Sequence, residues 1–205
     1  MRYDPERHHR RSIRLPGYDY RQAGAYFITL VAQDRACLFG EVIDGEMRVN
    51  EYGIIVQEEW FRSADIRREI RLYPDEFVVM PNHVHGIVWI VETPVGAHNP
   101  VPLQSDAPVV GAHGCAPLQR SPHSLSSFVA GFKSAVTKRI NELRGTPGAP
   151  VWQRNYYEHI IRNEDDLAAI REYILTNPLR WHLDRENMHA IGTDPREGEW
   201  EPKNM

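Results

Sequence analysis

Between Phe77 and Val91 the chain reads FVVMPNHVHGIVWIV, an almost unbroken apolar run interrupted at Pro81-Asn82 and carrying two histidines. Val, Ile and Phe on both sides of the break predict two strands joined by a tight turn. Side chains alternate along a strand with period two, so His83 and His85 project from one face, close enough for two imidazoles to hold one divalent cation. The alternative is a pair of satisfied core or sheet-surface histidines. A polar pair at the start of the most apolar strand in the chain is costly unless partnered.

The remaining pattern supplies the other elements in order. Residues 1–24 form a basic arm with Arg2, Arg7, Arg10, Arg11, Arg14 and Arg21, followed by Tyr18 and Tyr20 within it, a composition suited either to phosphate contact and base stacking or to a solvated terminus. AYFITLVAQ predicts a strand. LFGEVI and EMRV flank Asp44-Gly45, which supplies the positive φ angles of a two-residue hairpin turn. Asn50 can cap a helix over residues 51–64, with Tyr52, Ile55, Val56 and Trp60 as its buried stripe.

After the histidine strands, residues 93–122 lose all periodicity and become rich in Pro, Gly, Ala, Ser and His; VGAHNPVPLQ recurs there as VGAHGCAPLQ, offset by 15 residues. This predicts a tandem duplication inside a flexible loop. From Ser124, residues Leu125, Phe128, Val129, Phe132, Val136, Ile140 and Leu143 share one helical face, and Gly145 ends it. A strand is predicted over 156–161. Asn163 then caps the helix EDDLAAIREYILTN, whose acidic first turn favours its dipole. Pro178 disfavours helical geometry at Asn177 and should end that helix.

Strand, helix, strand, strand, helix, strand is the split βαβ, ferredoxin-like order, here with a hairpin inserted early and a helix appended late. The fold class is α+β, with the helices of the split βαβ unit on one face of the sheet. One domain over 25–182 is expected, and the charged tail of 183–205 should hang outside its core or else cover the site.

Length and charge narrow the classes. A chain of 205 residues can bury one real core without staples. Two cysteines, Cys37 and Cys115, give neither a disulfide framework nor a thiolate zinc site, which fits a reducing, cytoplasmic setting. No apolar run approaches the roughly 20 residues that span a bilayer. A net charge of -4 argues against whole-surface nucleic-acid binding, so any such contact must use local patches such as Arg10, Arg11 and Arg14, or Lys133, Lys138 and Arg139.

Tyr173 and Asn177 are one helical turn apart and lie on the same face. Tyr173 can reach a substrate while the Asn177 carbonyl faces a cation, which with His83 and His85 leaves coordination positions open, as catalytic metals require. Nitrogen and oxygen donors without thiolate suit Mg2+ or Mn2+, although imidazoles alone do not favour Mg2+. A free tyrosine ionises near pH 10, about three units above neutral, so a phenolate nucleophile needs roughly 4 kcal/mol of help. Tyr156 and Tyr157 compete for the nucleophile's role but have no amide one turn away. Glu158 and His159 are candidates to support the metal.

MPNHVHGIVWI resembles the His-hydrophobic-His (HUH) motif of single-tyrosine transposases of small insertion sequences, and WQRNYYEHIIRNEDDLAAIREYILTNP resembles the downstream block of the REP-associated tyrosine transposases. The likeness spans most of residues 22–182. It implies an HUH endonuclease fold with a C-terminal catalytic helix, and a metal-assisted endonuclease and strand transferase acting on single-stranded DNA beside a palindromic hairpin. By resemblance Tyr173 is the nucleophile that forms a 5'-phosphotyrosine, His83 and His85 hold the metal, and Asn177 is the third ligand. Family members are monomers or homodimers. Three other readings stand beside it: a hairpin-binding protein that does not cleave, a nuclease using water, and a histidine-triad nucleotide hydrolase, for which the third histidine is missing at Ile87.

Overall fold

The computed structural model describes residues 18–92 and 123–196. Arg10, Arg11, Arg14 and the duplicated segment of 93–122 lie outside the described residues.

β1 (Gly24–Val31) is central in the main sheet. It pairs antiparallel with β6 (His83–Ile90) on one side and with β7 (Tyr157–Ile161) on the other. Beyond β6 lie the short β4 (Ile70–Arg71) and β5 (Phe77–Val79), both antiparallel to it. The spatial order β4-β6-β1-β7 is the one that a split βαβ unit produces. β2 (Gly40–Ile43) and β3 (Glu46–Val49) make a separate hairpin, and its Asp44 and Gly45 take the positive φ values of 53° and 79° that the dipeptide predicts.

Two helices cover one face of the sheet. α1 (Glu51–Ile66) starts where Asn50 accepts from the backbone N–H groups of Tyr52 and Gly53, each at 3.0 Å. α2 (Leu125–Arg144) starts with a reciprocal capping box between Ser124 and Ser127 and ends at Gly145 in the left-handed region. The stripe of α2 is buried as expected except for Leu143, which is exposed in the last turn where the helix runs past the sheet. Trp60 anchors this layer, stacked on Phe77 at 4.4 Å and meeting Phe128 and Phe132 edge-on. Gly86 of β6 sits under the Trp60 ring, where an added Cβ would collide. Its lack of a side chain lets the aromatic layer press onto β6 between His85 and Ile87, residues of the opposite face.

That opposite face belongs to α3 (Glu164–Thr176), which buries Leu167, Ile170, Tyr173 and Ile174 against Ala25, Phe27 and Ile87. Asn163 caps it by accepting from Asp166 N at 2.8 Å. Pro178 does end the α-helix, but Asn177 keeps right-handed helical angles (φ -59°, ψ -42°) and leads into a 3-10 helix, Pro178–Leu183, that the sequence pattern does not signal. Tertiary contacts of the buried Asn177 override the local preference before proline.

The described part of the tail lies against the domain rather than outside it. Residues 184–196 dock on the domain, with Asp184 and Asp194 buried. Glu186 and Asp194 are paired rather than solvated: Arg35 Nε meets Glu186 at 2.9 Å, and Arg180 meets Asp194 at 3.1 Å. Ile191 N donates to His182 O, and Asp194 N to Leu183 O. A polar composition predicts solvation only when partners are absent.

Candidate metal and tyrosine site

β6 begins at His83, and its register against β1 sets His83 opposite Val31 and His85 opposite Thr29. Both imidazoles are buried on the α3 face, and their Nε2 atoms stand 2.9 Å apart. Each ring is held from behind. His83 Nδ1 lies 2.8 Å from Asn82 Oδ1, and His85 Nδ1 lies 2.9 Å from Thr29 Oγ1. The Asn82 amide is oriented without ambiguity, because its Nδ2 donates to the carbonyls of Arg35 and Glu186 at 3.1 and 2.7 Å. Asn82 Oδ1 can therefore only accept, so His83 carries its proton on Nδ1 and presents a bare Nε2.

Burial pushes the His83 pKa below the usual imidazole value, against the opposing pull of Asp184 and Glu186. His85 is pushed down much further by burial, with the neighbouring His83 and Arg185 adding to the effect. Neutral imidazoles with their second nitrogens fixed by outer partners are the form in which histidine binds a metal.

Asp184 completes the cluster. Its Oδ2 is 3.6 Å from His83 Nε2, and the ligand atoms of His83, His85 and Asp184 all lie within 4.8 Å of one another. This buried group could bind a metal. The donor set fits one: two imidazole nitrogens and a carboxylate converge on one point. Asn177 Nδ2 donates to Asp184 Oδ2 at 3.3 Å, while Asn177 Oδ1 is buried without a hydrogen-bond partner. Asp184 Oδ1 accepts from Glu186 N at 2.7 Å.

Tyr173 reaches this cluster from α3, its hydroxyl 3.4 Å from His85 Nε2. Its ring meets Phe27 edge-on, and the Arg196 guanidinium lies over it at 5.6 Å. The rotation of α3 that aims Tyr173 inward is fixed by its apolar stripe and by Arg171, whose Nε meets the buried Glu76 at 2.9 Å; Glu76 also accepts from Trp89 Nε1 at 2.6 Å. Tyr173 is 5% exposed, so the described chain covers the whole cluster.

His83, His85, Tyr173 and Asn177 are thus brought together. Glu158 and His159 are not. Glu158 lies opposite Ile28, on the α1 and α2 face of the sheet, away from the histidines. His159 shares their face but lies opposite Phe27, and its Nε2 meets Asp166 at 2.9 Å, anchoring the start of α3. The basic residues of α2 are already engaged: Lys133 donates to the carbonyls of Gln153 and Asn155, Arg139 pairs with Glu58 and Glu59, and the exposed Lys138 lies 3.8 Å from Glu142. Tyr157 lies opposite Thr29 and packs edge-on against Phe27 beneath Arg185, on the same face of the sheet as Tyr173. Sequence reasoning missed Asp184, Asn82 and Thr29; of these only Asn82, adjacent to His83, carries a sequence-level signal.

No helix among the described residues is long and apolar enough to cross a membrane. No family model matches the chain. A Haemophilus influenzae protein described only as uncharacterized is 41% identical over 184 residues, covering 90% of this chain and 96% of the relative. A second protein of that organism, named "Putative REP-associated tyrosine transposase", is 24% identical over 165 residues, covering 79% of this chain and 74% of its own. Among solved structures, a REP-associated tyrosine transposase bound to a REP hairpin is 20% identical with a TM-score of 0.48, covering 80% of this chain and 72% of that one. The chain belongs to one family with its 41% identical Haemophilus influenzae relative, and its resemblance to the REP-associated tyrosine transposases extends over 79% of its length.

Proposed function

We propose that the protein is a transposase-like endonuclease and strand transferase for single-stranded or hairpin DNA, with Tyr173 as nucleophile. The observation that carries this is the Tyr173 hydroxyl standing 3.4 Å from His85 Nε2, in a buried cluster with two neutral imidazoles and a carboxylate. A packed core tyrosine has no use for such neighbours. In the proposed step Tyr173 Oη bonds to the phosphorus of a DNA phosphodiester while the bond from phosphorus to the 3'-oxygen breaks. The phenolic proton leaves to water, and the departing 3'-oxygen takes one up. The 5'-phosphotyrosine keeps the energy of the broken ester, so a second 3'-hydroxyl can reverse the step and rejoin DNA.

His83 and His85 would hold a divalent Mg2+ or Mn2+, which when bound neutralises charge on the phosphate and on the phenolate. The chain's own part is orientation. Thr29 and Asn82 fix the imidazoles, and Phe27 and Arg196 fix the Tyr173 ring. DNA reaches Tyr173 only when part of the covering chain gives way.

Incubation with single-stranded hairpin oligonucleotides bearing a 3' flank, with Mn2+ or Mg2+, tests this directly. A denaturant-resistant protein-DNA adduct that requires metal and disappears in Tyr173→Phe is expected. Cleavage that survives Tyr173→Phe without an adduct would assign the attack to water. Hairpin binding without cleavage would make the protein a binder that does not cleave.

A further inference from the structure

We propose that Asp184, rather than Asn177, is the third metal ligand, so that the site is a centre of two histidines and one carboxylate that selects a first-row transition ion over Mg2+. The proposal deepens the metal-dependent reading above and rests on it.

Three observations carry it. The first is charge. Asp184 is a carboxylate only 2% exposed, and the groups around its oxygens are Asn177 Nδ2, Glu186 N and His83 Nε2. The first two are neutral donors, and His83 presents a lone pair, which repels a carboxylate oxygen. A buried anion is tolerated when paired, and a divalent cation between Asp184 and the two Nε2 atoms would supply a matching charge and replace the repulsion between His83 Nε2 and Asp184 Oδ2 with ligation.

The second is the orientation of Asn177. Its amide turns nitrogen, not oxygen, toward Asp184. Flipping it would set Oδ1 about where Nδ2 stands, 3.3 Å from Asp184 Oδ2, as a second acceptor facing the first. With Asp184 in place, Asn177 acts as the outer hydrogen-bond donor that aims the ligand, a positioning role matching those of Asn82 and Thr29 behind the histidines.

The third is the backbone. Asp184 ends the 3-10 helix that follows Asn177, and its Oδ1 accepts from Glu186 N at 2.7 Å, which leaves Oδ2 for the cluster. The carboxylate is therefore held at both ends before any ion arrives. Two imidazoles and one carboxylate with open positions form a donor set for ions such as Mn2+ or Fe2+, whereas Mg2+ prefers all-oxygen shells and retained waters.

The test is Mn2+ binding by the full chain, read as free Mn2+ by electron paramagnetic resonance, with Mg2+ as competitor. The wild-type protein should bind one Mn2+ and keep it against a large excess of Mg2+. Asp184→Ala and the near-isosteric Asp184→Asn should lose more affinity than Asn177→Ala, for which the loss should be about 10-fold to 100-fold, as for an outer partner. Unfolding of each variant in EDTA shows whether the fold survives, and Asp184→Asn serves if Asp184→Ala does not. Wild-type affinity in a folded Asp184→Asn, with binding lost in Asn177→Ala, would overturn the assignment. So would Mg2+ displacing Mn2+ at equal concentration. The endonuclease reading fails separately, when the chain binds Mn2+ through Asp184 yet forms no tyrosine adduct.

Discussion

Thr29 on β1 holds His85 on β6 through the 2.9 Å contact between Oγ1 and Nδ1, across the pair of residues that the strand register sets opposite each other. The central strand of the sheet is therefore also the outer support of the candidate metal site. With a cation on Nε2, the His85 proton must sit on Nδ1, and Thr29 is the group that accepts it. Thr29→Val keeps the shape of the side chain and removes that acceptor. Mn2+ affinity should fall about 10-fold to 100-fold, the usual cost of losing an outer partner, with the fold retained. Equilibrium titration of Mn2+ into the variant checks this, and an unchanged affinity would show that the contact plays no part in ligation.

Glu76 and Arg171 aim Tyr173. The carboxylate is buried while the guanidinium side chain is 40% exposed, so truncating each partner has a different consequence. Arg171→Ala leaves a buried carboxylate that still accepts from the Trp89 N–H and should destabilise the protein by about 1–3 kcal/mol, below the full cost of breaking a wholly buried pair. Urea unfolding measures that cost. If α3 also rotates, adduct formation by Tyr173 falls further than the lost stability accounts for.

The metal-free protein should weaken in mild acid. Burial holds the pKa of both His83 and His85 below the ordinary value of 6.5, His85 further than His83. Below 6.5 the unfolded chain binds protons that the folded chain refuses, so stability rises with pH in that window. It is complete above 6.5 and is lost progressively as pH falls toward the depressed folded values. Thermal melts in EDTA from about pH 8 to pH 5 should show the midpoint falling on the acid side, more weakly in His85→Gln. A flat profile would mean that the pair charges freely in the folded state.

Much of the site is written in local periodicities. Period two puts His83 and His85 on one face, and a spacing of four puts Tyr173 and Asn177 on another; neither depends on what the elements pack against. Glu158 and His159 have equally clear spacing, but their faces depend on the register of β7 against β1, which places Glu158 opposite Ile28 on the wrong side. Arg139 reads as a free cation until α2 packs on α1 and delivers Glu58 and Glu59 to it. Asp184 is the least legible of all. It is one acid in a charged tail, and only docking of that tail, through pairs such as Arg35 with Glu186, distinguishes it from its neighbours.

Because Asp184 lies in the segment that covers the site, metal binding and the order of that segment are linked. Asp194, buried between Arg180 and Arg196, holds the far end of the same segment, with contacts of 3.1 and 3.3 Å. Asp194→Ala removes both contacts and leaves two guanidinium groups without that partner. Hydrogen exchange of residues 178–196 should accelerate while β1 and β6 stay protected, since local opening requires only that this unit detach. Mn2+ should slow exchange in the same residues in the wild-type chain, because an ion bound by His83, His85 and Asp184 ties the segment to β6 and stabilises the bound form by mass action. The slowing should vanish in Asp184→Asn. Mn2+ protection that persists without the carboxylate would place the ion's hold on this segment elsewhere, with Asn177 the next donor in reach.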